Sequence, residues 1–160
     1  MSVQSAAGAT LRISAAMPAT FDGAGYALIF PAVPVAANPR VGEITDLGEF
    51  GREFALITHN PIGNRSTQKF KGSFNEGTMS LTLAMNTVDA GQVLMRTASL
   101  SDAAHSFEVR LQNGARYYFL AQVMSWKIGV GSVDQLVSAT VQLEITSSDG
   151  GVGVVPVPAV

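Results

Sequence analysis

Cysteine is absent from the 160-residue chain, which excludes disulfides, thiolate metal ligands and thiol nucleophiles. Charge is scarce: charged residues make up 14%, against about 25% in an average soluble domain. Neither sign dominates, with 10 Lys plus Arg, 12 Asp plus Glu and a net charge of −2. That balance argues against a dedicated nucleic-acid binder, which normally carries a basic face. Long apolar runs are missing as well. The longest uncharged stretch, around Tyr26 to Ala37, is broken by Pro31 and Pro34 and is too short to span a bilayer. The start lacks a basic region and Arg12 interrupts its first apolar stretch, so no signal peptide is expected. A soluble chain of a reducing compartment is the expectation. Apolar residues nevertheless reach 47%, an ordinary core fraction with few charges to cover the outside. Part of the surface is expected to be covered by something other than water.

The length suits one domain. Residues 1–8 and 148–160 read as tails around a body at 9–147. The second tail is uncharged after Asp149 and suited to docking. Apolar and polar residues alternate at 9–14, 78–85, 106–111 and 137–146, the period of a strand with one wet face. Weaker strands are expected at 40–48 and 52–58. Ala90, Val93, Leu94, Thr97 and Ala98 share one helical stripe, which predicts a helix over 87–99 capped by Asn86. A shorter helix over Asp22 to Leu28 is weakened by Gly23 and Gly25. Asn113-Gly114 is the signature of a two-residue hairpin turn. In that register Arg110 faces Tyr117 and Phe107 faces Leu120. The core face runs through Tyr118, Leu120, Met124, Trp126 and Ile128, and the other face carries Tyr117, Phe119, Ala121 and Val123. Both faces are apolar, so the second needs a cover, either the 87–99 helix or a neighbouring copy. Residues 58–77 form a long polar arm holding Arg65, Lys69 and Lys71, with Phe70 and Phe74 between them.

Catalytic chemistry is not visible. His59 and His105 lack metal spacing and read as ordinary strand-edge residues. His105 with Asp102 and a serine has no nucleophile elbow. Glu43, Asp46, Glu49 and Glu53 read as solvated turn charges rather than a carboxylate pair across a cleft. Gly129-Val130-Gly131 lies between strands, which makes it a hairpin loop and not a phosphate cradle. Nothing in the remaining chain complements the basic arm as a nucleic-acid groove.

Several stretches in order carry a family resemblance. They are Pro18-Ala19-Thr20-Phe21-Asp22 with Gly25-Tyr26-Ala27-Leu28; Val41-Gly42-Glu43-Ile44 leading to Leu47-Gly48-Glu49-Phe50-Gly51; Lys69-Phe70-Lys71-Gly72-Ser73; Gly77-Thr78-Met79-Ser80-Leu81; Asp89-Ala90-Gly91-Gln92; and Phe107-Glu108-Val109 before Asn113-Gly114. Over residues 9–147 the chain resembles the tail tube proteins of long, flexible-tailed bacteriophages. The resemblance implies a mainly β fold, a β-sandwich or barrel-like core with one flanking α-helix and a long loop or hairpin arm. It implies hexameric rings stacked into a tube, in a virion tail assembled in the bacterial host cytoplasm. Partners would be further copies and other tail proteins, with DNA only as passing cargo. No cofactor, no catalysis and no membrane segment are implied. On this basis Arg65, Lys69 and Lys71 are candidates for inter-ring contacts, and Tyr117, Phe119, Ala121 and Val123 for the subunit interface. Glu108, Thr140, Gln142 and Glu144 are candidates for the lumen, where neutral or acidic groups let phosphates pass. A β-sandwich binding module and a tail terminator or completion protein of similar fold are the alternatives.

Overall fold

Alternating apolar residues build most of the computed structural model, which describes residues 3–148 and 150–159. In chain order the elements are β1 (Thr10–Ser14), α1 (Gly23–Ile29), β2 (Arg40–Val41), β3 (Ile44–Asp46), β4 (Glu53–His59), β5 (Gln68–Asn75), β6 (Thr78–Ala84), α2 (Ala90–Ser99), β7 (His105–Arg110), β8 (Arg116–Gly129), β9 (Ser138–Thr146) and β10 (Val155–Val157). One antiparallel sheet runs β2-β1-β7-β8-β9-β6-β3, and β10 pairs with β8 beside this path. β4 and β5 form a separate two-stranded ribbon. The mainly β fold with a hairpin arm is therefore as expected.

The principal core lies on one face of the sheet. Met79, Leu81 and Leu83 of β6 and Val141 and Leu143 of β9 meet Leu11, Ile13, Phe107, Val109 and Phe119 there. Met95 and Ala98 of α2 close it. Asp89, not Asn86, caps α2: its carboxylate accepts from the Gln92 N–H at 3.0 Å and from the Gly42 N–H at 3.1 Å. Asn86 instead turns the chain ahead of the helix, accepting from the Val88 N–H at 3.1 Å. The helix starts at Ala90, later than the predicted 87, because Asp89 is the residue that caps its first free donors. A helix also forms at α1 despite two glycines. Asp22 caps it, accepting from the Gly25 N–H at 2.7 Å, and no room exists for a side chain at Gly25 beside Thr20.

The hairpin between β7 and β8 has a different register from the one its turn dipeptide predicts. Leu111 N–H donates to Ala115 O at 2.8 Å, so Gln112, Asn113 and Gly114 all lie in the turn. Gly114 takes the left-handed conformation at φ 92°, the pattern of a three-residue loop with a glycine bulge. A shift of one residue exchanges the two faces. Phe107 faces Phe119 and Val109 faces Tyr117, while Glu108 faces Tyr118 and Ser106 faces Leu120. Over Tyr118–Ala121 the strand is dry on both sides, as predicted, and beyond Val123 it is largely exposed. α2 covers the Phe119 side, and Tyr26 and Phe30 of α1 pack on Tyr118 and Leu120 on the other. A second irregularity inserts Met124 between the Val123–Leu143 and Ser125–Gln142 pairs. It leaves Met124 and Ile128 exposed and places Trp126 against the core only in part.

The wet faces predicted for β1 and β7 are dry. Arg12, Ser14, Ser106 and Glu108 are all buried. Of the predicted tails, Met1, Ser2, Asp149 and Val160 lie outside the described residues. Within the second tail, Val155 pairs with Tyr118 and Val157 with Arg116, so this segment docks on its own chain.

Candidate assembly surfaces

The arm is a two-stranded ribbon. Pairing of Phe54 with Phe74, Leu56 with Lys71, Ile57 with Phe70 and Thr58 with Lys69 fixes its faces. Paired residues share a face, so Phe54, Leu56, Phe74, Lys69 and Lys71 lie on one side and Ile57 and Phe70 on the other. Phe54 is 41%, Leu56 66%, Ile57 50% and Phe70 54% exposed, and every residue of β4 is exposed. Lys71 lies over the Phe54 ring at 4.8 Å, and Phe54 meets Phe74 edge-on at 5.7 Å. Arg65 stands in the connection between the two strands, and all three cations of the predicted inter-ring set are exposed. Part of the apolar surface left without cover lies here, on a ribbon with exposed apolar groups on both sides.

The ribbon's base is tied down by residues that sequence inspection passes over. Arg52 Nη2 lies 2.7 Å from Glu76 Oε1, and Glu76 is only 5% exposed. The Arg52 guanidinium stacks 3.9 Å over the Phe74 ring and donates to Gly151 O at 3.0 Å. Glu76 was findable only as an acidic residue ending a polar run; its partner depends on how the ribbon closes.

The proposed subunit-interface set needs correction. Phe119, Ala121 and Val123 are core residues of the single chain, and Tyr117 packs partly against the same core, edge-on to Phe50 at 5.5 Å. The altered hairpin register turned this face inward. Glu108 likewise faces no channel. It is 1% exposed, and Arg12 Nη1 reaches its Oε1 at 3.4 Å. Arg12 also donates to Pro31 O at 2.7 Å and to the Asn38 side-chain oxygen, and lies 5.4 Å over the Phe30 ring. A buried charge requires such partners.

Thr140, Gln142 and Glu144 stand together on the outer face of β9. Their cross-strand partners Thr82, Ser80 and Thr78 on β6, and Ser125 and Lys127 on β8, extend one polar face. Thr78 Oγ1 reaches both Glu144 oxygens at 2.8 and 2.9 Å. Its charges are Glu144 and Lys127, with Asp46 of β3 paired to Thr82 at its edge, so it carries more acidic than basic groups.

Among the described residues no group of three His, Cys, Asp or Glu is placed to hold a metal ion, and no helix is long and apolar enough to cross a membrane. His59 ends β4 and His105 begins β7.

No protein-family model matches the sequence, and no curated protein matches it. Solved structures do. A chain of the anti-feeding prophage (AFP) baseplate, symmetrised sixfold, has a TM-score of 0.67 at 11% identity, covering 99% of both chains. A chain from the tail of an empty GTA particle, refined with sixfold symmetry, has a TM-score of 0.56 at 11% identity, covering 72% of this chain and 89% of that one. The SPP1 tail tube has a TM-score of 0.55 at 13% identity, covering 92% of this chain and 75% of that one. The chain has the fold of tail tube proteins.

Proposed function

We propose that this protein is a structural subunit of a phage-type tail tube, assembling with its own copies into stacked hexameric rings around a channel that conducts DNA. The observation that carries this reading is the ribbon β4–β5. It presents apolar side chains on both faces, while the body of the subunit has already buried its own core. Isolated two-stranded ribbons are marginal in water, so this one is suited to gaining its stability against a neighbour. The sixfold symmetry of two structures sharing the fold supports rings of six. Arg65, Lys69 and Lys71 are the inter-ring contacts, with acidic residues of the next ring as their partners. Thr140, Gln142 and Glu144 line the lumen. A wall with few cationic groups holds few counterion-releasing phosphate contacts, which favours passage over capture. The role is structural, the location a virion tail, and other tail proteins join the tube at its ends.

A second reading has its own support. The full-length likeness to a baseplate chain favours a ring at the tail end that does not polymerise, as a terminator or completion protein also would. Negative-stain electron microscopy of the concentrated protein separates the two. Tubes or long stacks support the first reading, single rings that never stack the second, and a persistent monomer contradicts both.

A further inference from the structure

We propose that Arg52 and the C-terminal segment form a latch that sets the direction of the arm within a single subunit. The latch is built from four contacts at the place where the ribbon leaves the body. Arg52 lies immediately before β4 and Glu76 immediately after β5, and their 2.7 Å ion pair closes the ribbon's base. The Arg52 guanidinium also covers the Phe74 ring at 3.9 Å, which fixes the first apolar pair of the ribbon from outside. Its Nη2 donates to Gly151 O at 3.0 Å, which joins the base to the C-terminal segment. Gly153 is buried against the Glu76 carboxylate, and a Cβ there would collide with both carboxylate oxygens.

The C-terminal segment is itself anchored. Val154 packs on the principal core, and β10 pairs with β8 beside Tyr118, where Val155 and Val157 join the second cluster with Tyr26 and Phe30. A continuous path of contacts therefore runs from α1 through β10 and Gly151 to Arg52 and the ribbon. One planar guanidinium makes the ion pair, the stack and the carbonyl bond together, which a lysine ammonium cannot reproduce. A ribbon held only by its two connections would swing. Held by Arg52 it points one way before any neighbour is met, which lowers the ordering cost of docking. That last benefit rests on the proposed role of the arm; the latch itself does not.

The absence of cysteine allows a direct test. Ile62→Cys at the ribbon tip and Leu100→Cys after α2 are both exposed positions for two spin labels. Pulsed electron resonance on the labelled, unassembled subunit should give one narrow distance distribution. Arg52→Ala should widen it at least twofold, and Arg52→Lys should give an intermediate width. Gly153→Ala, which leaves Arg52 in place and displaces the C-terminal segment from Glu76, should also widen it. Arg52→Ala leaves the buried Glu76 carboxylate without its cation, whereas Arg52→Lys keeps the charge; thermal unfolding of each variant, read well below its midpoint, shows that the fold is retained where the widths are compared. An unchanged width in either alanine variant overturns the latch, as does a wild-type distribution already that broad. Failure of the wild-type protein to form rings would sink the proposed function and leave this readout intact.

Discussion

Arg12 and Glu108 form a buried ion pair between strands that are neighbours in the sheet and 96 residues apart in sequence. Removing one partner of such a pair leaves an uncompensated charge, at a cost of about 3–5 kcal/mol. Glu108→Ala should lose that much stability in urea unfolding. A loss within about 0.5 kcal/mol, the usual effect of a surface change, would return Glu108 to the exposed face. Alternation alone made Glu108 read as wet, because the cover over β7, the Arg12 side chain with Asn38 and Phe30, comes from elements distant in sequence. Tyr26 offers a second test. Burial pushes its phenol up from the ordinary value of 10 to about 12, and Tyr118, stacked on it at 5.4 Å, moves the same way through burial and the Glu108 charge. The folded state then keeps a proton that the unfolded chain releases. This contribution is complete below pH 10 and is lost as pH rises toward 12. Tyr26→Phe should flatten the alkaline fall of the urea midpoint; an equal slope in both proteins would contradict it.

Elements with strict alternation and a complete core face, β6 and β9, are legible from sequence down to their buried residues. The β7–β8 hairpin is legible in position and not in register. Asn113-Gly114 is compatible with loops of two or three residues, and only the Leu111–Ala115 pairing decides between them. That single residue moved Phe119, Ala121 and Val123 from a supposed interface into the core. Phe119→Ala should therefore cost the isolated subunit about 3–5 kcal/mol, read from its unfolding before assembly. A normal subunit that merely fails to associate would restore the interface role. The ribbon makes the opposite prediction. Lys69→Glu with Lys71→Glu should leave thermal unfolding unchanged and abolish stacking, followed by light scattering. Normal tubes from this variant would count against inter-ring contacts by the arm. The ribbon itself was half visible, since β4 shows in the sequence and the polar run containing β5 reads as loop until its pairing is known.

At the scale of the molecule, apolar surface is left in water in more than one place. The ribbon exposes Phe54, Leu56, Ile57 and Phe70 on its two faces, and the body exposes Leu28, Val88, Leu100, Val133 and Leu136 outside its core. One polar face crosses β6, β9 and the end of β8, with Asp46 of β3 at its edge. Under the proposed function the ribbon joins copies and the polar face lines a channel. The most direct measurement is cryo-electron microscopy of the assembled protein at a resolution that separates strands. The account predicts hollow rings with Thr140, Gln142 and Glu144 on the inner wall and the β4–β5 ribbon seated on a neighbouring copy. Rings with those three residues on the outer wall, or a ribbon left free in solvent, would contradict it.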